Sequence, residues 1–340
     1  MSTDRMNRSV LLRSRPVGLV AESDVELVTL PCPEIADGEA LVRTDLIGLD
    51  AAVRTWLDDR PGYLPPVQVG ETIRAATVGE VVESRCDAYQ IGDVVTTLGG
   101  LSEYSVARDD VFTTVVGRVS EGTADVDRAA MHAVFSSTGA TAYFGMHDIG
   151  RPRAGETVVV SAAAGATGSI AGQIAKAAGA HVVGIAGSDD KCAVVVDEFG
   201  FDSCINYRTA DLSQALKEHC PNRVDVYFDN VGGPTLNAVL GRLAMHARVV
   251  LCGVISSYVS GDHPGPSNYV QLLAKRARME GFNTLDNWDR YDEAYAALRT
   301  LVDSGSLKYR AQIFDGLEHS VDALNALFTG SNIGKTMLRP

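Results

Sequence analysis

The sequence predicts an α/β protein in which a partly open antiparallel β-barrel accompanies a doubly wound parallel sheet. Three observations predict it. Residues up to about 130 run in short Val-, Thr- and Gly-rich alternating stretches, the pattern of barrel strands. From about residue 135 strand and helix patterns alternate, which means parallel strands with right-handed crossovers. From Leu307 onward the short-strand pattern returns.

Ala40–Asp45, Val78–Val82 and Asp93–Leu98 read as barrel strands, punctuated by Gly92-Asp93 and Gly99-Gly100. Val158–Val160 reads as the first strand of the parallel sheet. Ile170, Ala171, Ile174, Ala175 and Ala178 then fall on one helical face, which ends at Gly179 as a C-cap. Val182–Ala186 is the second strand, Ser188 caps a helix to about Glu198, and Cys204–Asn206 is the third strand. Val224–Phe228 is the fourth strand, Thr235–Met245 a helix, and Arg248–Cys252 the fifth strand. Leu307–Phe314 and Lys335–Leu338 are strands flanking a helix near Val321–Phe328. The order is an insertion: a substrate domain of residues 1–134 and 309–340 encloses a nucleotide domain of residues 135–308. A ligand is expected beyond the carboxyl ends of the parallel strands, in the cleft between the two domains.

A chain of 340 residues with 46% hydrophobic and 21% charged residues is long enough for two domains and is ordinary for a globular protein. Its formal charge of −13 argues against nucleic acid, which needs a basic surface to displace phosphate counterions. Thr157–Ala175 carries no charge, yet Ser161, Gly165, Thr167, Gly168, Gly172 and Gln173 interrupt it, so a strand–turn–helix is expected and not a membrane span. The six cysteines are scattered without a Cys-x-x-Cys pair, and the first residues lack an apolar core. A reducing, cytoplasmic setting is the expectation.

Ala163-Ala-Gly165-Ala166-Thr167-Gly168 follows the first strand and opens the helix. A dinucleotide fingerprint has this shape, with alanine in place of its first glycine. Gly165 lets the backbone approach a pyrophosphate, Gly168 lets the helix pack close to the sheet, and the helix N-terminus attracts the phosphates. About 20 residues on, NAD enzymes place an acidic side chain against the adenosine ribose. Here Gly187 and Ser188 leave room and Lys191 supplies positive charge, with Tyr207 and Arg208 at the end of the third strand able to reach the same place. NADP(H) is therefore expected and NAD(H) is not. Gly334-Lys335-Thr336 ends like a phosphate-binding loop, but position 329 is Thr where that loop needs glycine, and the reading is rejected.

No catalytic zinc is expected, because the barrel region before His132 has no histidine and only Cys32 and Cys86. Without metal, reduction of a carbonyl-conjugated double bond needs a reduced nicotinamide and a group that handles the developing enolate. Tyr258, just past the fifth strand, and Tyr63, in the stiff Gly62-Tyr-Leu-Pro-Pro66 loop, are the candidates. Either ring is also explained by packing alone.

Seven motifs together make the chain resemble the zinc-independent medium-chain dehydrogenase/reductases, in the branch of prostaglandin reductases, alkenal/one oxidoreductases and double-bond reductases. They are Tyr63–Val67, Thr138–Gly145, Ala162–Gly168, Ala186–Lys191, Phe228–Gly233, Cys252–Tyr258 and Asn332–Thr336. The resemblance runs from Arg15-Pro-Val-Gly18 to the last strand. It implies a GroES-like barrel with a Rossmann domain, and NADPH-dependent reduction of the carbon–carbon double bond of α,β-unsaturated ketones or aldehydes. By motif match Lys191 and Tyr207 hold the 2′-phosphate, and Gly165, Ala166, Thr167 and Gly168 the pyrophosphate. Thr141, Asn230, the loop Cys252, Gly253, Val254, Ile255, Ser256 and Ser257, together with Phe282 and Asn332, line the rest of the cofactor. Tyr258 matches the tyrosine assigned to protonate the enolate or orient the carbonyl, and Tyr63 a substrate-side tyrosine. A homodimer through the edge of the nucleotide sheet is also implied.

One segment departs from the family. Where it often has Asp-Pro-Tyr-Met-Arg, this chain reads Asp50-Ala-Ala-Val-Arg54, which changes the substrate mouth and leaves the cofactor site alone. The alternatives that remain from sequence are a quinone reductase on the same scaffold and a non-catalytic NADP(H)-binding protein.

Overall fold

The computed structural model describes residues 5–262 and 265–340. The backbone separates into two units, Met1–His132 with Ala311–Pro340, and Ala133–Arg310.

The second unit is built on a six-stranded sheet whose strands are all parallel. In chain order its strands are Thr157–Ser161, His181–Ala186, Ser203–Asn206, Val224–Asp229, Leu243–Leu251 and Arg278–Gly281. Their spatial order is third, second, first, fourth, fifth, sixth, the doubly wound arrangement that reverses between its first and fourth strands. Val158, Val159 and Val160 are fully buried, which is why this strand reads as an unbroken β-branched run and not an alternating one.

Three local departures from the sequence reading have physical causes. The helix expected over Thr235–Met245 is Gly233–Leu240. The fifth strand starts early, at Leu243, because that fully buried side chain pairs into the sheet opposite Val224. The sixth strand, Arg278-Met-Glu-Gly281, was not foreseen: it has no apolar alternation and pairs beside the fifth, with Met279 packed on the core and Arg278 donating to the Ile149 carbonyl at 2.7 Å. The strand expected from Leu307 begins at Ala311. Leu307 is buried in a loop instead, and Gln173 Oε1 accepts the Lys308 N–H at 2.7 Å while its Nε2 donates to the Lys308 carbonyl at 2.9 Å, replacing ladder bonds.

The first unit carries a seven-stranded mixed sheet and a two-stranded ribbon of Met6–Leu12 with Val25–Pro31. Sheet order runs Ala311–Asp315, Lys335–Arg339, Glu39–Leu49, Ala76–Ser84, Val94–Thr97, Thr114–Gly117, with Tyr104–Arg108 paired to the first half of Glu39–Leu49. The path does not close on itself. Irregular pairing at Leu41/Val42 and Thr44/Leu46 bends the long strand, so its two halves take different neighbours. Lys335–Arg339 joins antiparallel to Glu39–Leu49 and seats the C-terminal segment in the N-terminal unit. Ile47, Leu49, Leu57, Ile73, Leu101, Leu324 and Leu338 form its core. Among the described residues no helix is long and apolar enough to cross a membrane.

His132 ends this unit in full burial, its Nε2–H donating to the Leu46 carbonyl at 3.1 Å. Burial, then the nearby Lys335 ammonium, lower its pKa from 6.5 to about 4. The unfolded chain takes up this proton below about pH 6.5, whereas the folded chain does so only near pH 4. The stability contributed is therefore complete above pH 6.5 and is lost as the pH falls toward 4. Relative to neutral pH, about 2 kcal/mol should be gone by a pH of about 4.5. Urea unfolding across this range checks it, and a His132→Gln variant with an unchanged pH dependence would remove His132 as the cause.

Candidate cofactor and catalytic site

The reversal of strand order in the second unit places the ends of its first and fourth strands side by side. After Ser161 the chain turns at Ala162, which takes a left-handed φ of 48°, a conformation that costs energy for a residue with a side chain. Gly165 N–H then donates back to the Ala162 carbonyl at 2.9 Å. Gly165 caps the helix Ala166–Ala177 without any side-chain bond, so the first N–H groups of this helix carry no side-chain acceptor from the cap. A Cβ on Gly168 would stand 2.4 Å from the Ala162 carbonyl oxygen. Gly168→Ala is thus expected to cost about 1–3 kcal/mol. Calorimetry checks this, and an unchanged melting temperature would show that the turn gives way freely.

At the end of the second strand Ser188 caps the helix Asp189–Asp197, its Oγ accepting from the Lys191 N–H at 3.3 Å. A Cβ on Gly187 would meet Tyr207 Cε1 at 3.3 Å, the Tyr207 hydroxyl at 3.4 Å and Arg208 Nε at 3.5 Å. Ser188, Lys191, Tyr207 and Arg208 therefore converge on one corner. Burial and the Arg208 guanidinium both push the Lys191 ammonium below the usual lysine range. Two cations held together against burial make a place that an anion would stabilise.

Asn230 follows the fourth strand and is fixed across the reversal, its N–H donating to Ser161 Oγ at 2.9 Å and its Nδ2 to the Ser161 carbonyl at 2.7 Å. Beneath it Asp229 is fully buried and its Oδ1 accepts from Tyr227 Oη, Ser161 Oγ and the N–H groups of Val231 and Gly232. Burial raises the Asp229 carboxyl despite these donors. The Asp229 cage holds the Asn230–Gly232 turn open at the mouth of the sheet. Its signal in sequence was only the polar Ser161 and Asp229 at the ends of two apolar strands, and it went unread.

Past the fifth strand Cys252, Gly253 and Val254 lead into the short helix Ile255–Tyr258, which takes in the rest of the expected loop. The Tyr258 hydroxyl oxygen accepts from the Val254 N–H at 3.3 Å, which leaves its own hydrogen directed elsewhere. Burial raises its pKa, partly offset by that N–H bond. Tyr258 is thus a donor at neutral pH, not a base. Burial, then the Asp229 charge, push the Cys252 thiol up to about 12. Thr141 lies in the helix Ser137–Phe144, and Phe282 packs by the end of that helix, where a Cβ on Gly145 would be 2.9 Å from Phe282 Cζ.

The remaining predicted residues belong to the first unit. Tyr63 is 54% exposed, in the concave Asp59–Pro66 loop, with its ring edge-on to Trp56 at 6.3 Å. Asn332 is buried just before the strand Lys335–Arg339. Lys335 itself is 2% exposed and its Nζ donates to Asp50 Oδ1 at 2.5 Å. This buried lysine anchors the start of the divergent Asp50–Arg54 segment. Arg54, also buried, donates to the carbonyls of Gly18 and Pro16 at 2.9 and 3.0 Å and to Asp58 at 2.7 Å. The departure at Ala51 and Ala52 thus sits between two anchored ends.

Residues 8–115 match the family described as the N-terminal domain of oxidoreductase, and residues 166–301 the one described as zinc-binding dehydrogenase. NADPH-dependent curcumin reductase of Escherichia coli (strain K12) is 35% identical over 339 residues, 98% of this chain and 96% of the relative. The NADP(+)-dependent 2-alkenal reductase of Nicotiana tabacum is 35% identical, over 99% and 98% of the two chains. The crystal structure of CurA from Vibrio vulnificus with NADPH is 36% identical and superposes with a TM-score of 0.90 over 98% of both chains. The chain is a zinc-independent medium-chain dehydrogenase/reductase. Its GroES-like and Rossmann parts are the two units described above. Among the described residues of this reductase, no three His, Cys, Asp or Glu side chains converge as metal ligands would.

Proposed function

We propose that this medium-chain reductase uses NADPH to reduce the carbon–carbon double bond of α,β-unsaturated ketones and aldehydes. The observation that carries the reading is Tyr258, at the carboxyl end of the parallel sheet, with its oxygen held by the Val254 N–H and its proton retained by burial. The relatives named for curcumin and 2-alkenals support it, as does the NADPH-bound CurA structure.

The residues fit NADPH. The Ala162 carbonyl closes the turn against Gly168, and the Ala166–Ala177 helix that follows offers N–H groups to the pyrophosphate. Lys191, Tyr207 and Arg208 around Gly187 suit a 2′-phosphate, with Ser188 accepting or donating beside them. Asn230, the Cys252–Ser257 loop, Thr141, Phe282 and Asn332 are assigned to the remainder of the cofactor. Bound NADPH supplies a hydride for the β-carbon of the acceptor. Tyr258 then donates its hydroxyl hydrogen toward the developing enolate and so completes reduction at the α-carbon. The N–H of Val254 stabilises the negative charge that this transfer leaves on the phenol oxygen. Tyr63 is assigned to the substrate side.

We further propose a cytoplasmic homodimer. The sixth strand, Arg278–Gly281, is an unpaired sheet edge, and the preceding helix Val270–Lys275 exposes Leu273 at 80% beside Tyr269 at 67%. An open edge with apolar residues beside it is a template for pairing with a second copy. Leu273→Glu should therefore sediment as a monomer, whereas a dimer in both proteins would place the interface elsewhere. The function itself is tested by following NADPH and NADH oxidation with a panel of enones, alkenals and quinones. Turnover of enones with NADPH is expected; consumption with quinones alone would replace the reading, and tight NADPH binding with no turnover would end it.

A further inference from the structure

Asp229 ends the fourth strand with none of its surface exposed, and no step of the proposed reduction uses it. One carboxylate oxygen takes every bond. Oδ1 accepts from Tyr227 Oη at 2.7 Å, Ser161 Oγ at 3.2 Å, the Val231 N–H at 3.0 Å and the Gly232 N–H at 2.9 Å. Oδ2 has no hydrogen-bond partner among the described residues.

These bonds also fix the opposite face of the turn. In a trans peptide the N–H and the carbonyl of one unit point in opposite directions. The Asn230 N–H is drawn to Ser161 Oγ, and those of Val231 and Gly232 to Asp229. The carbonyls of Asp229, Asn230 and Val231 therefore face the other way, and all three are used there. The Asp229 carbonyl accepts from the Cys252 and Gly253 N–H groups at 2.9 and 3.0 Å. The Asn230 carbonyl accepts from the Ile255 N–H at 3.2 Å, and the Val231 carbonyl from the Ser256 N–H at 3.2 Å and its Oγ at 2.6 Å.

Ile255 and Ser256 open the helix Ile255–Tyr258, and first N–H groups have no partner within their own helix. The turn supplies that partner, so its placement decides where the helix starts. Val254 lies just before this start, and its N–H holds the Tyr258 hydroxyl oxygen. A Cβ on Gly253 would stand 3.3 Å from that oxygen and 3.4 Å from the Asn230 carbonyl oxygen, so phenol and turn both close on Gly253.

We propose that Asp229 is a positioning residue for Tyr258: its buried carboxylate orients the Asn230–Gly232 turn, and the carbonyls of that turn set the phenol in its working place. The proposal rests on reading Tyr258 as the proton donor. Asp229 itself is out of reach of substrate and cofactor, since no part of it is exposed. The turn needs its oxygen and not its charge. Burial raises the carboxyl, and only one oxygen is engaged, so a neutral carboxamide can supply the same acceptor. A methyl group cannot.

The test is a double-mutant cycle on the intact reductase, with kcat for an enone measured at saturating NADPH and the melting temperature followed in every variant. Asp229→Ala is expected to lower kcat by about 10²-fold, the scale of a displaced reacting group. Asp229→Asn should restore most of that loss. Tyr227→Phe removes a bond to the same oxygen but none from the turn, so it should lower the melting temperature and keep kcat. In a Tyr258→Phe background Asp229→Ala should have little further effect on kcat, because residues that act as a unit are not additive. Ser256→Ala, at an exposed position, carries the same cycle if Asp229→Ala does not fold. Its fall in kcat, roughly 3–10-fold for one lost hydrogen bond, should vanish in Tyr258→Phe.

Equal losses in the two backgrounds would overturn the positioning role, as would a native kcat in a folded Asp229→Ala or in Ser256→Ala. An Asp229→Asn or Tyr227→Phe variant as slow as Asp229→Ala would overturn it too. Unchanged turnover in Tyr258→Phe alone would instead end the proton-donor reading, and the positioning role with it.

Discussion

Tyr258→Phe is expected to lower kcat for enone reduction by about 10²–10⁴-fold, the usual contribution of a positioned general acid. KM for NADPH should hardly move, because the substitution removes only an oxygen in the loop after the fifth strand. The oxygen has two functions in the native site. It accepts the Val254 N–H at 3.3 Å, and in the proposed mechanism it carries the proton that goes to substrate. The phenylalanine variant therefore also leaves the Val254 N–H without that acceptor, at a cost of about 1–3 kcal/mol if it stays buried. A purely structural role would appear as weaker cofactor binding and a lower melting temperature with kcat largely kept. A role in the chemistry appears as a fall in kcat and kcat/KM together. The sign of the pH dependence follows from burial, which raises the phenol above its usual value of 10. Protonated Tyr258 is the active form, so activity should hold through neutral pH and fall only above pH 10. Unchanged turnover in Tyr258→Phe at saturating NADPH would remove Tyr258 from the reaction.

Lys191→Ala is expected to raise KM for NADPH by roughly 10–100-fold, since a hydrogen bond to a charged group is worth about 1.5–3 kcal/mol. KM for NADH should stay within about 2-fold of its original value, because a ribose hydroxyl offers no comparable charge. Lysine at this position is held below its usual pKa by burial and by Arg208. A phosphate relieves both by placing negative charge between the two cations. Alanine keeps the helix Asp189–Asp197, because Ser188 still caps it and alanine is a good helix former. Added salt should raise KM for NADPH in the native protein and do so less in the variant, through screening of the lost charge. Equal weakening of both cofactors would sink the assignment.

Much of this was legible before any coordinates, and the legible parts share a cause. The Val158–Val160 run, the Ala162–Gly168 turn and the Ser188 cap are local features, each set by residues next to one another in the chain. The absent carboxylate at Gly187 was equally visible, because it replaces a side chain at a known offset from the first strand. The Arg278–Gly281 strand was not, since a short edge strand with Met279 alone packed on the core leaves no hydrophobic pattern. The short helix at Gly233–Leu240 was misread at its end for a related reason: Leu243 suits a helix as well as a strand until Val224 is beside it.

The sequence by itself determined the fold class, the nucleotide preference expected of the Gly187–Lys191 corner and the pair of tyrosines to consider. Tertiary structure alone decided which partners each group has and how deeply it is buried. Asp229 is 68 residues from Ser161, and Asp50 is 285 from Lys335. Hydrogen-bond partners and desolvation depend on contacts between distant segments, and a pattern along the chain carries no record of them.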